Sequence, residues 1–419
     1  MNVLVVGSGG REHAIIWALK RSPLLSRVYC APGNAGIASI AECVPFQVNQ
    51  FEELTQFAID QAVDLVVIGP EDPLCAGIVD HIEARGLKVF GPNGKAAIIE
   101  GSKVFTKQLL RDYSIPTAAY ESFDRYEDAL AYLQGHATPI VIKADGLAAG
   151  KGVIIAQTVA EAEEALKQIM VDKVFGDNGQ QVVIEEFLSG QEMSILSFVD
   201  GETVRPMMPS QDHKQIFDGD KGPNTGGMGT YSPVPHIPQA MIDEAIETII
   251  KPTAAAMVKE GRPFRGVLFA GLMMTANGPK TIEFNARFGD PETQVVLSLL
   301  DSDLLEVFLA VVEGRLAECE LRWSSDAAVC VVMASPGYPG SYPKALPIQG
   351  LDEVQQAVVF HAGSALKDGQ VVTNGGRVLG VTARGANIAE ARKLAYADVE
   401  RIRFEGAQYR TDIAAKALV

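Results

Sequence analysis

Cysteine is scarce: Cys30, Cys43, Cys75, Cys319 and Cys330 are odd in number, far apart and without a Cys-x-x-Cys pair. This excludes a disulfide framework and a thiolate metal knuckle, and points to free thiols. No run of about 18 apolar residues occurs, so no segment is expected to span a membrane. Residues 1–7 lack the charged-then-apolar order of an export signal and read as a strand, which makes the cytoplasm the expected location. Positive charge is also short. Thirty-six Lys+Arg against 52 Asp+Glu leave a net charge of −16, which repels nucleic acid and anionic lipid. Any phosphate must therefore be met by local cations and backbone amides. Two common phosphate motifs are missing too. Gly7-x-Gly9 starts a dinucleotide fingerprint, but Glu12 stands where the third glycine belongs, and no Gly-x-x-x-x-Gly-Lys-[Ser/Thr] is present.

What is there suffices for several domains with ordinary cores: 419 residues, 47% hydrophobic and 21% charged. The most informative stretch is residues 281–292. Ile282, Phe284, Ala286 and Phe288 alternate with Glu283, Asn285 and Arg287, so a strand here packs one face and presents a carboxylate, an amide oxygen and a guanidinium on the other. Mg²⁺ takes one or two such oxygens and completes its shell with phosphate oxygens, while an arginine binds anionic oxygen. The alternative is a half-exposed strand whose polar face is merely wet.

In the first hundred residues, apolar strands at 2–6, 27–30, 64–68 and 88–90 each end in a Gly/Pro loop and alternate with helical patterns. This predicts a doubly wound parallel sheet whose ligands sit beyond the strand ends. Gly9 and Gly10 allow close approach to a phosphate, with Arg11 adding charge; a tight strand-to-helix turn is the plainer possibility. His13 reads as a packing residue. Ser102 is an N-cap for a helix carrying Lys103, and residues 139–155 read as strand, glycine loop and strand, with Lys143 fixed below a loop containing Gly150, Lys151 and Gly152. Such a loop can close over a triphosphate, or be only a hairpin tip. The strand ending at Glu185, Glu186, Phe187 and Leu188 offers edges for an adenine, and Glu192 can take ribose hydroxyls. Of Glu185 and Glu186, one is expected to be solvated. Asp212 with the turn-rich Asn224, Thr225, Gly226 and Gly227 could border a small zwitterion, or form a surface loop.

These pieces resemble the ATP-grasp superfamily and, more specifically, the phosphoribosylamine–glycine ligase family. The words that carry the resemblance are GSGGREHA (7–14), KADGLAAGKGV (143–153), QDHK (211–214), GPNTGGMG (222–229), RFGDPETQ (287–294) and NGGRVLG (374–380). The resemblance implies an α/β, multidomain ATP-grasp architecture: a Rossmann-like domain at 1–103, a central domain at 104–120 and 190–326, a lid at 121–189 and a small C-terminal α/β domain at 327–419. It implies ATP-driven joining of glycine to 5-phosphoribosylamine through a glycyl phosphate, by a monomer without nucleic-acid or membrane partners. Glu283 and Asn285 would hold Mg²⁺ or Mn²⁺, Lys103 and Lys143 the nucleotide phosphates, 185–188 the adenine and Glu192 the ribose. Arg287 would stabilise the transferring phosphoryl group, Asp212 with 224–227 would border glycine, and Gly9, Gly10, Arg11 and Asn93 would border the ribose phosphate. The C-terminal domain reads chiefly as structural, with the border of the sugar-phosphate pocket as its other possible role. Ala345 stands where the family leads one to expect glycine, and Ala286 where a larger aliphatic is commoner. The rivals are another ligase of the same clamp design, a nicotinamide-dependent oxidoreductase and a non-catalytic nucleotide-binding regulator.

Overall fold

The computed structural model describes residues 1–147, 152–176 and 180–418. Strand Asn2–Gly7 lies at the centre of a five-stranded, all-parallel sheet, flanked by Arg27–Pro32 then Glu42–Cys43 on one side and by Leu65–Ile68 then Val89–Phe90 on the other. This order reverses direction at the first strand, so the loops after Gly7 and Ile68 open a crevice at the sheet's carboxyl end. The apolar run explains the placement: Leu4 and Val6 enter one core cluster while Val3 and Val5 enter another, as a strand covered on both faces requires.

The middle of the chain builds two antiparallel sheets. Gln191–Asp200 and Arg265–Thr275 pair over ten residues and are flanked by Thr203–Pro206 and Gly278–Asn285, the strand carrying the alternating motif. Phe284, Ala286 and Phe288 are buried while Glu283, Asn285 and Arg287 are half-buried, as period-2 patterning predicts; Ile282, expected on the packed face, is instead half-buried and Thr281 buried, because a register shift against Arg265–Thr275 reverses the facing there. A separate sheet, Tyr120–Phe123, Val182–Glu186, Ile140–Ala144 and Val153–Ala156, has its own small core. The last sheet runs Gln211–Asp212, Gly229–Ser232, Ala327–Ala334, Arg377–Gly385 and Val358–His361. Two of its strands thus come from the 190–326 stretch, and the hairpin Gln215–Phe217/Lys221–Asn224 projects between them.

Phe90, Phe198, Phe288 and Phe308 meet where the parallel sheet, the long antiparallel sheet and helix Leu304–Val312 come together, with Phe90 and Phe308 stacked at 3.9 Å between centroids. Local signals mostly held. Ser102 caps Lys103–Asp112, Thr158 caps Val159–Leu166 and Asp303 caps Leu304–Val312. Residues 239–259 form helix Gln239–Ala245, a wide turn at Ile246–Ile250 and helix Lys251–Lys259. Pro252 has no N–H for a regular i→i−4 bond, which accounts for the local widening.

Candidate functional site

The half-buried face of Gly278–Asn285 is the centre of the site. Lys143 on Ile140–Ala144 crosses to it, its Nζ donating to the carbonyl of Ile282 at 3.0 Å. The same ammonium lies 2.9 Å from Glu185 Oε1, and Lys107 Nζ lies 2.8 Å from Glu185 Oε2. All three side chains are buried. Burial pushes the Lys107 ammonium down to about 8 against the pull of Glu185, whose own carboxyl stays below its usual range because Lys143 and Lys107 outweigh its burial. Glu185 was expected against adenine; its carboxylate is instead the shared counter-ion of two lysines, because burying either ammonium unpaired would be too costly. Glu186 is the exposed one of the pair, accepting from the Ala119 N–H and from Lys280 at 2.8 Å. Phe187 is exposed and Leu188 half-buried at the edge.

Lys103 heads its helix and donates to the Gly146 carbonyl at 2.8 Å, so the loop after Lys143 begins above it; Glu283 is the first charge acting to keep Lys103 protonated against its burial. Asp145 joins the two elements, accepting from Ser102 Oγ and from the Val104 N–H. Gly152 returns the loop, its carbonyl accepting from Ala144, whereas Gly150 and Lys151 lie outside the described residues.

On the opposite side of Glu283, Lys214 Nζ lies 3.0 Å from Asp212 Oδ2. Burial alone would depress this ammonium, but Asp212, Glu292, Glu283 and Glu192 together raise it well above its ordinary value. The same burial, then Asp212, pushes the Glu292 carboxyl up to about 7. Thr225 is tied to Lys214, its N–H and hydroxyl both donating to the Lys214 carbonyl at 2.8 Å, and Gly227 donates to Thr225 Oγ1 at 3.0 Å. The structure therefore brings Asp212, Thr225, Gly226 and Gly227 together as expected, with Lys214 at their centre. Asn224 sits on the hairpin, facing Gln215.

Three residues with expected ligand roles hold protein partners in the structure. Arg287 Nε donates to Glu71 Oε2 at 3.0 Å and its Nη2 lies 2.9 Å from Glu100 Oε1, whose other oxygen accepts from the Ala286 N–H at 2.7 Å. Burial pushes Glu100 up to about 7, while Glu71, despite burial, is held at about 2 by Arg287 and then Arg11. Arg287 is thus the brace that fixes the site strand to the parallel-sheet domain. Arg11 is buried, its Nε on Glu12 at 2.7 Å and its Nη1 on the Phe288 carbonyl at 3.1 Å. Glu12 also takes the Gly9 N–H at 2.6 Å and packs against Gly7 and Gly69 so closely that a Cβ at either would collide with it. The third-glycine position is therefore filled by a carboxylate that occupies the crevice, which removes the dinucleotide reading. Asn93 caps helix Gly94–Gly101, accepting from Ala96 at 3.0 Å, and is spent on that task.

A cleft of about 250 Å³ does open at Ser8 and Gly9, and its other walls are Asp290, Tyr338, Ala362, Gly363 and Arg377. The C-terminal lobe thus closes the pocket predicted beyond the first strand, and the cation there is Arg377 rather than Arg11. Sequence signals for what was missed were faint. Lys107 lies one turn after Lys103 on the same helix face, and Arg377 lies inside the NGGRVLG word.

All three domains of the phosphoribosylglycinamide synthetase family match in order: the N domain over residues 1–100, the ATP-grasp (A) domain over 101–293 and the C domain over 328–416. The chain belongs to the phosphoribosylglycinamide synthetase family. A phosphoribosylamine–glycine ligase of Caldanaerobacter subterraneus is 53% identical over 415 residues, 99% of this chain and 100% of that protein. A trifunctional purine biosynthetic protein of Gallus gallus is 52% identical over 99% of this chain, which spans 42% of that longer protein. The solved phosphoribosylamine–glycine ligase of Thermotoga maritima superposes with a TM-score of 0.85 at 36% identity, covering 99% of this chain and 100% of that one. A biotin carboxylase of Campylobacter jejuni, 13% identical with a TM-score of 0.75 and covering 97% of this chain and 92% of its own, shares the fold.

Proposed function

We infer that this chain is the ligase that joins glycine to 5-phosphoribosylamine at the expense of ATP, giving glycinamide ribonucleotide, ADP and phosphate. The observation that carries this is the full-length family match, and the convergence of Lys103, Lys143, Glu283 and Asn285 on one side with Asp212 and Lys214 on the other supports it. A carboxylate is a poor acyl donor, so glycine must first become a glycyl phosphate, whose phosphate the neutral amine then displaces. Glu283 and Asn285 suit a hard divalent cation, Mg²⁺ or Mn²⁺: they offer two oxygens from one half-open strand face, and phosphates and water would supply the rest. Such a cation, when bound, screens the phosphate charge and activates the terminal phosphoryl group.

The chain's own residues position the partners. Lys143, aimed by Glu185, and Lys103 meet phosphate oxygens; the edge at 186–188 receives adenine and Glu192 the ribose. Asp212 pairs the glycine ammonium beside loop 224–227. The ribose phosphate enters the cleft of Ser8, Gly9, Gly363 and Arg377, with Gly10 behind it. Five free cysteines and the strongly acidic surface support a cytoplasmic monomer acting on small molecules, without nucleic-acid or membrane partners. The test is ADP release with glycine, then phosphoribosylamine, withheld in turn. Release should require glycine; ADP formation that ignores both substrates would leave only an ATP-grasp enzyme of another specificity.

A further inference from the structure

The loop at 225–227 is tied at Thr225 to the Lys214 carbonyl and at Gly226 and Gly227 to the C-terminal lobe. The Gly226 N–H donates to Tyr338 Oη at 3.1 Å, and the Gly226 carbonyl accepts from Arg377 Nη1 at 2.5 Å. The same nitrogen reaches the Gly227 carbonyl at 3.4 Å and the Asp290 carbonyl at 2.7 Å, in the turn that follows the site strand. Arg410, fully buried, spans the hairpin, donating to the Gln215 carbonyl at its root at 3.1 Å and pairing with Asp220 at its tip at 3.0 Å. Two arginines and a tyrosine of one lobe thus fix both ends of a hairpin whose root carries Asp212 and Lys214.

We propose that the C-terminal lobe is a positioning element for the amino-acid half of the site, with Tyr338 and Arg377 setting loop 225–227 against the Asp290–Pro291 turn. Glycine residues adopt many backbone conformations, so a loop containing Gly226 and Gly227 has a high entropic cost of ordering that outside hydrogen bonds must offset. Gly226 has both its peptide groups engaged, and a Cβ there would lie 3.0 Å from the Arg377 guanidinium carbon, so a larger residue would push the arginine back by a few tenths of an ångström. Nη1 of Arg377 gives its two hydrogens to the Gly226 and Asp290 carbonyls while Nη2 lies 3.6 Å from Asp290 Oδ1, a planar fork that the single ammonium of lysine does not reproduce. Neither residue is assigned a bond to reacting atoms. The proposal rests on the reading that this loop borders glycine.

Steady-state kinetics of Tyr338→Phe and Arg377→Lys, with each substrate varied separately and thermal unfolding recorded alongside, test it. Each variant should raise KM for glycine about three- to tenfold, the equivalent of one lost hydrogen bond, with KM for ATP within about twofold of wild type; Arg377→Lys, whose side chain also lines the ribose-phosphate cleft, should raise KM for phosphoribosylamine as well, whereas Tyr338→Phe should raise it less than it raises KM for glycine. Tyr338→Phe keeps the half-buried ring and so isolates the hydroxyl from folding effects. An unchanged glycine KM in a folded Tyr338→Phe, or an equal rise for ATP, overturns the proposal. A wild-type enzyme indifferent to glycine would overturn the functional reading itself and is told apart because it shows before any substitution is made.

Discussion

Arg11 illustrates how a single residue's role depends on neighbours that sequence cannot supply. In the sequence it stands among glycines at a helix start and reads as a phosphate ligand; in the fold its partners are Glu12, one residue away, and the Phe288 carbonyl, 277 residues away. Arg11→Ala would leave the Glu12 carboxylate buried without its cation, a loss of about 3–5 kcal/mol. We expect a large drop in the denaturant midpoint and no selective rise in KM for phosphoribosylamine. Ala345 makes the reverse point. It adopts φ +63°, the left-handed region, at the position where family resemblance leads one to expect glycine, and its N–H donates to the Thr373 carbonyl at 2.7 Å. An L-residue there is strained by about 1–2 kcal/mol, part of which glycine returns as extra freedom of the unfolded chain. Ala345→Gly should therefore raise stability by about 1 kcal/mol, measured by chemical denaturation, without altering turnover.

At the scale of elements, patterning was legible wherever the cause was local. The alternation of 283–288 and the cap at Ser102 follow from periodicity and hydrogen-bonding chemistry within a few residues. Crossing of Gln211–Asp212 and Gly229–Ser232 into the C-terminal sheet was not legible, because their partner strand lies about a hundred residues on and short strands carry almost no pattern. For the same reason the site's cations were recognised but their counter-ions were not: Glu71, Glu100 and Glu185 reach Arg287 and the lysines across long sequence gaps. The aromatic junction shows how such elements are locked. Phe308→Ala would remove a fully buried ring touching Phe90, Phe198 and Phe288, costing about 3–5 kcal/mol. Loss of cooperativity between the first domain and the central sheet should accompany it, visible as a broadened calorimetric transition.

Across the whole molecule, the first and last domains meet at two histidines. His13 Nδ1 accepts from the His361 N–H at 2.8 Å, and Asn34 Nδ2 donates to the His361 carbonyl at the same distance. Burial, then the neighbouring His361 ring, holds His13 down at about 3, and burial holds His361 at about 4. Both values lie below the ordinary value near 6.5, so the unfolded chain binds more protons than the folded one between these limits. Stability is therefore full above pH 6.5 and falls as pH drops, by on the order of 2 kcal/mol per histidine at pH 5. His13→Asn retains an acceptor near the Nδ1 position but cannot titrate. It should remove this one histidine's share of the stability lost between pH 7 and pH 5, on the order of 2 kcal/mol, and an unchanged pH dependence of the melting temperature would place the acid sensitivity elsewhere.

The carboxylate wedged between Gly7 and Gly69 has a corollary. Restoring glycine at residue 12 would complete the familiar three-glycine text, yet it would strip Arg11 of its charge partner and free the Gly9 amide inside a hollow. Glu12→Gly would thus cost the first domain stability without making it a nicotinamide site.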